Sequence, residues 1–134
     1  MRIIIVFLCS LLISTHVHAF SGQVVERGAY GDDVIELQAR LQYIGIYHGE
    51  IDGKFGYGTY TAVRQFQQQY GLEVDGLAGQ DTKQKLVNNS DFDKQWVHNQ
   101  IRQGNRFTYY GGMPLEQQVK AQAVNPQTSQ LPAN

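Results

Sequence analysis

Apolar residues fall at helical spacing in three places along the chain. Val34, Leu37, Leu41 and Ile44 make one stripe at i, i+3, i+7 and i+10, predicting a helix that starts at Asp33. Asp33-Val34-Ile35-Glu36 has the form of a D-x-x-E capping box, and Gly45 followed by apolar Ile46 reads as a Schellman stop. Thr59, Ala62, Val63, Phe66 and Tyr70 share one face of a second helix, over about 59–70, closed by Gly71-Leu72. A third runs from about Asp81 to Val87 and buries Leu86. Phe20 to Tyr30 reads as an extended lead-in. The expected fold is all-α: a small three-helix bundle with long ordered loops, in which Ile46, Ile51, Phe55, Leu72, Val74 and Leu77 join the core. A compact part of about 60 residues buries only about 60% of its unfolded surface, so its loops must be built into that core.

The ends of the chain have a different texture. Arg2 precedes an apolar run from Ile3 to Ile13, and Val17-His18-Ala19 fits a small-x-small cleavage site. Residues 1–19 are expected to be a signal peptide cut after Ala19, since the run is short for a membrane span; a retained anchor is the alternative. Cys9 lies inside that run, which leaves no cysteine for a disulfide, a thiol nucleophile or a thiolate metal site in the mature chain. Residues 20–88 then form the folded domain. Residues 89–134 read as a Gln/Asn-rich tail or linker, with Lys94 to Ile101 able to form one or two amphipathic turns carrying Trp96 and Ile101.

Between the helices the chain repeats itself. Residues 52–59 and 75–82 share the pattern D-G-x-x-G-x-x-T at an offset of 23 residues. Asp52 and Asp75 suit acceptors for backbone amides two residues on, and Thr59 and Thr82 suit helix N-caps. These four are expected to be structural.

Charge and chemistry narrow the function. The chain has 11 Lys and Arg against 12 Asp and Glu; without Arg2 the balance is ten to twelve, a net charge near −2. Nothing here suits nucleic acid or a polybasic membrane clamp, and no membrane association is expected after signal cleavage. Gly49 to Lys54 lacks the spacing and the Ser/Thr of a phosphate loop. His48, Glu50 and Asp52 are better read as solvated loop residues than as metal ligands. Ser21, Ser90 and Ser129 do not lie on a nucleophile elbow, and Glu36, Glu50 and Glu73 have cap or surface readings that leave no catalytic carboxylate pair. No catalytic residue, metal or cofactor is expected. A surface remains: Tyr57, Tyr60, Arg64, Gln67 and Gln68 lie about a third of a turn from the apolar stripe of the second helix, with Tyr47 at the mouth of the preceding loop. Aromatic faces cover the C–H faces of sugars, and a guanidinium pairs with a peptide carboxylate. An ordinary solvated helix face is the competing reading.

Leu37-Gln38-Ala39-Arg40-Leu41, Gly45-Ile46-Tyr47, Asp52-Gly53-Lys54-Phe55-Gly56, Thr59, Ala62 to Gln67, Gly71-Leu72 and Asp75 to Gly79 together resemble the peptidoglycan-binding domain type 1 family, over Gly28 to about Val87. Val24 to Gln38 and Asp75 to Lys83 resemble more particularly the amino-terminal region of spore cortex-lytic enzymes. The resemblance implies a three-helix fold that holds peptidoglycan, glycan or stem peptide, in the cell wall or spore cortex of a spore-forming bacterium, and a part in sporulation and germination. The catalytic domain of those enzymes has no counterpart in these 134 residues. The expected function is therefore an exported, non-catalytic binding module, with ligand across Tyr47, Phe55, Tyr57, Tyr60, Arg64 and Gln67; Phe55 has a core reading as well. The alternatives are a truncated enzyme of cortex hydrolysis and an interaction module whose Trp96 and tail dock a spore-envelope protein.

Overall fold

The computed structural model describes residues 19–108 and 110. The expected signal peptide, except Ala19, and the tail from 111 onward lie outside the described residues. Within them are four helices: α1 (Asp32–Tyr43), α2 (Tyr57–Gln69), α3 (Gln80–Asn89) and α4 (Lys94–Arg102). The expected class is all-α and the observed class agrees, but the count of three becomes four. Among the described residues no helix is long and apolar enough to cross a membrane. The lead-in runs antiparallel past both loops, with single bridges pairing Tyr30 with Lys54 and Val25 with Ala78.

The stops on α1 and α2 form as their sequences predict. Ile46 N–H donates to Leu41 O and Gly45 N–H to Gln42 O, at 2.9 Å each, the paired bonds of a Schellman turn. Gly45 takes φ +78, a conformation that costs other residues about 1–2 kcal/mol. Leu72 N–H closes α2 in the same way on Gln67 O.

The start of α1 departs from expectation. Its N-cap is Gly31, with no side-chain cap bond. Asp33 instead accepts from the amide and hydroxyl of Ser21. Glu36 accepts from Phe20 N–H at 3.0 Å and from Arg40 at 2.8 Å. Both carboxylates of the expected box are drawn to partners that only the folded chain supplies.

α1 is the central element because it is buried on two sides. Val34, Leu37 and Leu41 pack with Val63 and Phe66 of α2, Leu86 of α3, and Ile46, Phe55 and Ala78 from the loops. Ala39 faces the other way, into a second cluster with Ile51, Val97, Phe107 and Tyr110. That cluster explains α4. Its N-cap Asp93 accepts from Trp96 N–H at 2.9 Å, Val97 is fully buried, and Trp96 packs on Phe107 and Tyr110 at centroid distances of 5.5 and 5.7 Å. The segment just past Asn88 thus covers a face of α1 that would otherwise be wet. Conversely, Val74 and Leu77, expected in the core, stand exposed on the second loop. That loop is held by polar bonds described below.

Val97→Ala is expected to cost about 2 kcal/mol in urea unfolding, from the lost methyls and the cavity they leave. Ending the chain after Asn89 should cost more, because it uncovers Ala39 and Ile51 together.

Candidate functional site

Each of the two repeated loops is organised by a glutamine from the preceding helix. Gln38, on α1, is fully buried. Its Nε2 donates to Asp52 Oδ1 at 2.9 Å, and to Lys54 O and Thr59 Oγ1 at 3.0 Å. Its Oε1 accepts from Asp52 N–H and Gly53 N–H at 3.1 and 2.9 Å. Gln67, on α2, repeats the pattern: Nε2 to Asp75 Oδ1, Leu77 O and Thr82 Oγ1 at 2.8, 2.9 and 3.1 Å, and Oε1 from Asp75 N–H and Gly76 N–H at 3.1 and 2.9 Å. Asp52 and Asp75 each also accept the amide two residues on, from Lys54 and Leu77, at 2.9 Å. A carboxamide suits this place because it alone offers two N–H donors and a carbonyl acceptor on one short plane.

Thr59 and Thr82 are structural, but by a different route from the one expected. They are the third residues of their helices, whose N-caps are Gly56 and Gly79, and their hydroxyls accept from the glutamines. The glutamines themselves escape the repeat because they stand 14 residues before Asp52 and 8 before Asp75. The common offset of 23 does not reach back to them.

The six residues expected to form the ligand surface divide into two sets. Phe55 lies in the main core and Gln67, only 1% exposed, has its amide committed to the second loop. Tyr47 is buried as well. Its hydroxyl donates to Glu50 O at 2.7 Å, and burial foremost pushes that phenol's pKa up. All three side chains are interior in this structure.

Tyr57, Tyr60 and Arg64 reach the surface. Tyr57 is 69% exposed, and its ring lies 6.4 Å from that of Tyr60, inclined by 33°. Arg64 donates to the Tyr60 hydroxyl at 3.3 Å, with its guanidinium 5.7 Å from the ring centre. Arg27, from the lead-in, places a second guanidinium 5.8 Å from the same ring. Its position on the chain carried no signal, since only the fold brings it to α2. Gly76 makes the arrangement possible: a Cβ there would stand 2.2 Å from Tyr60 Cε2, and its φ is +74. The Tyr60 ring therefore lies against Gly76 of the second loop, and the loop is fixed by Gln67. Among the described residues no three His, Asp or Glu side chains converge to hold a metal ion. The chemistry offered is a neighbouring aromatic pair with two guanidiniums beside the Tyr60 ring.

Residues 30–86 match the family of putative peptidoglycan-binding domains. The crystal structure of the SleB N-terminal domain is 64% identical, with a TM-score of 0.52 over 52% of this chain and 96% of that one. This chain belongs to the peptidoglycan-binding domain family. Among curated relatives of this family member, the spore cortex-lytic enzyme of Oceanobacillus iheyensis is 62% identical over 99 residues, and that of Bacillus subtilis 58% over 105. These alignments take in 74% and 78% of the chain but 36% and 34% of the enzymes, so the chain spans about a third of their length.

Replacing the glutamine of this domain's second loop, Gln67→Leu, should cost about 3 kcal/mol, because the amides of Asp75 and Gly76 lose a buried acceptor. Amide exchange should quicken first at those two positions. Asp75 supplies an acid-side signature. The Leu77 amide first of all, with help from Gln67 and Arg64 and against partial burial, lowers its carboxyl below the ordinary 3.8. The stabilisation is present above that value and lost as pH falls through the folded one. The stability gap between wild type and Asp75→Asn should accordingly close on acidification below about pH 4.

Proposed function

We propose that this chain is exported and binds peptidoglycan, without cleaving it, on the face formed by Tyr57, Tyr60, Arg64 and Arg27. One observation carries the reading. Two neighbouring tyrosine rings and two guanidiniums stand together beside α2, and the Tyr60 ring at their centre rests against Gly76 of a loop fixed by Gln67. Pre-ordered aromatic faces suit the C–H faces of sugar rings, and the guanidiniums suit the carboxylates of the stem peptide. Membership of the family and the names of the cortex-lytic relatives support the same ligand class. Tyr47, Phe55 and Gln67 serve this site from beneath, by setting the loops on which the surface residues stand. Residues 1–19 act as the export signal, and the destination is the wall or spore cortex of a spore-forming bacterium. Trp96 packs inward against Phe107 and Tyr110, which supports the peptidoglycan reading over one in which it docks a spore-envelope partner.

Co-sedimentation of Phe20–Asn134 with purified spore cortex and with vegetative sacculi tests this. Retention without muropeptides in the supernatant is expected; released muropeptides would assign hydrolysis to the chain itself. Tyr57→Ala combined with Arg64→Ala removes two side chains with few packing duties. The pair should weaken retention about tenfold at unchanged helical circular dichroism. Undiminished retention would remove the site from this face, and no retention on either wall would turn the search to a protein partner.

A further inference from the structure

The lead-in begins with a contact that a loop has little reason to make. Phe20 N–H donates to Glu36 Oε2 at 3.0 Å, and Glu36 is only 6% exposed. The other oxygen of Glu36 is taken by Arg40 at 2.8 Å. Two cations lie over the Phe20 ring, Arg40 at 5.7 Å and Lys83 at 5.2 Å. The next residue, Ser21, is gripped by Asp33 through its amide and hydroxyl, and Lys83 Nζ donates to the carbonyls of Ser21 and Gln23. Side chains from α1 and α3 therefore fasten residues 20–23 starting at one nitrogen. Phe20 is also the described non-glycine residue with positive φ, at +25. For a bulky side chain that is an unfavourable conformation, and it is defined across the Ala19–Phe20 bond. A cavity of about 400 Å³, lined in part by Phe20, Asp33, Glu36, Phe92 and Lys94, opens beside the nitrogen.

We propose that this nitrogen becomes the amino terminus of the mature chain and that Glu36 is the carboxylate built to receive it. The inference rests on the reading of residues 1–19 as an export signal. A leader peptidase hydrolyses the Ala19–Phe20 amide. The oxygen of water joins the Ala19 carbonyl carbon to give a carboxylate, the C–N bond breaks, and the released amine takes up protons to become an ammonium. A neutral N–H···carboxylate bond is thereby exchanged for a charge-assisted one, which is the stronger kind. The remaining ammonium protons face the cavity, where water has room. The backbone constraint at Phe20 disappears, because no carbonyl precedes it.

The ammonium would be faced by Glu36, Asp33 and Asp32 of α1, and by Arg40 of α1, Lys83 of α3 and Lys94 of α4. His98 of α4 stands 3.9 Å from Asp32. Glu36 is the anion in direct contact. A cation that gains such a partner on folding has its pKa raised above the ordinary α-amino range of about 7.7–8.0. Its stabilisation is fully present below that range and is lost as pH rises through the folded value.

Three measurements decide the proposal. The full chain, secreted from a spore-forming host, is expected to yield an amino-terminal peptide beginning at Phe20 by mass spectrometry; another start would overturn the cut. Phe20–Asn134, freed from a cleavable amino-terminal fusion, is then compared with its α-acetylated form. Acetylation should lower the melting temperature by about 5 °C at pH 6.5, and the difference should shrink at alkaline pH. The α-amine, followed by NMR after ¹³C reductive methylation, should titrate higher in the folded protein than in urea. Glu36→Gln should return it to the urea value. If that variant does not fold, the wild-type titration still decides: an α-amine with equal folded and urea values, or equal melting of the free and acetylated forms, would overturn the docking. Sedimentation with sacculi, run on the same samples, reads the Tyr57 and Arg64 face separately, so either proposal can fail alone.

Discussion

A buried carboxamide is costly unless it is hydrogen-bonded, and in this domain the pairing of two of them, Gln38 and Gln67, shapes the loops. The two loops have no sheet to absorb their backbone groups beyond single bridges to the lead-in. Gln38 and Gln67 stand in for a sheet. Each accepts two successive amide protons and donates to a carboxylate, a carbonyl and a hydroxyl of the loop that follows it. Such groups cost little while paired and about 1–3 kcal/mol each when one partner is lost. The loops thus have one good conformation, and the surface residues inherit it.

The duplication preserves this frame while changing what it carries. Aligned on their threonines, Tyr57 and Tyr60 of the first copy correspond to Gln80 and Lys83 of the second. The first copy shows its tyrosines on α2, at the surface. In the second, Lys83 is buried and turned to the carbonyls of Ser21 and Gln23. One copy supplies surface chemistry; the other tethers the chain's entry. The copies also cooperate, since Tyr60 of the first rests on Gly76 of the second.

α1 joins these functions. Its apolar stripe faces α2 and α3, and Ala39 on its far side meets α4 through Val97. The Glu36–Arg40 pair lies between the two clusters, and the guanidinium also reaches the Ser90 carbonyl at 2.9 Å and the ring of Phe92 at 5.6 Å. Such a buried pair adds little net stability over an apolar replacement, but losing one partner is expensive. Its evident structural use is to hold the lead-in, α1 and the segment before α4 in one register.

The helical stripes, the glycine stops at Gly45 and Gly71, the all-α class and the repeated D-G phrase were legible in the sequence, because each expresses a local preference of a few adjacent residues. Tyr57, Tyr60 and Arg64 were legible as a surface for the same reason: helical spacing alone puts them off the apolar stripe. The remainder depended on distant partners. Asp33 and Glu36 have the local form of a cap, yet Ser21, Phe20 and Arg40 offer them better bonds. Gln67 looks like a surface amide by composition, and only the second loop folding over it shows that it is interior. Arg27 reaches Tyr60 because the lead-in crosses both loops. α4 belongs to the packed structure because one side of α1 would otherwise be left bare. Local spacing decides which backbone conformations are cheap; which polar atoms face inward is decided by the free energy of pairing them across the fold, and that is set only when the chain is closed.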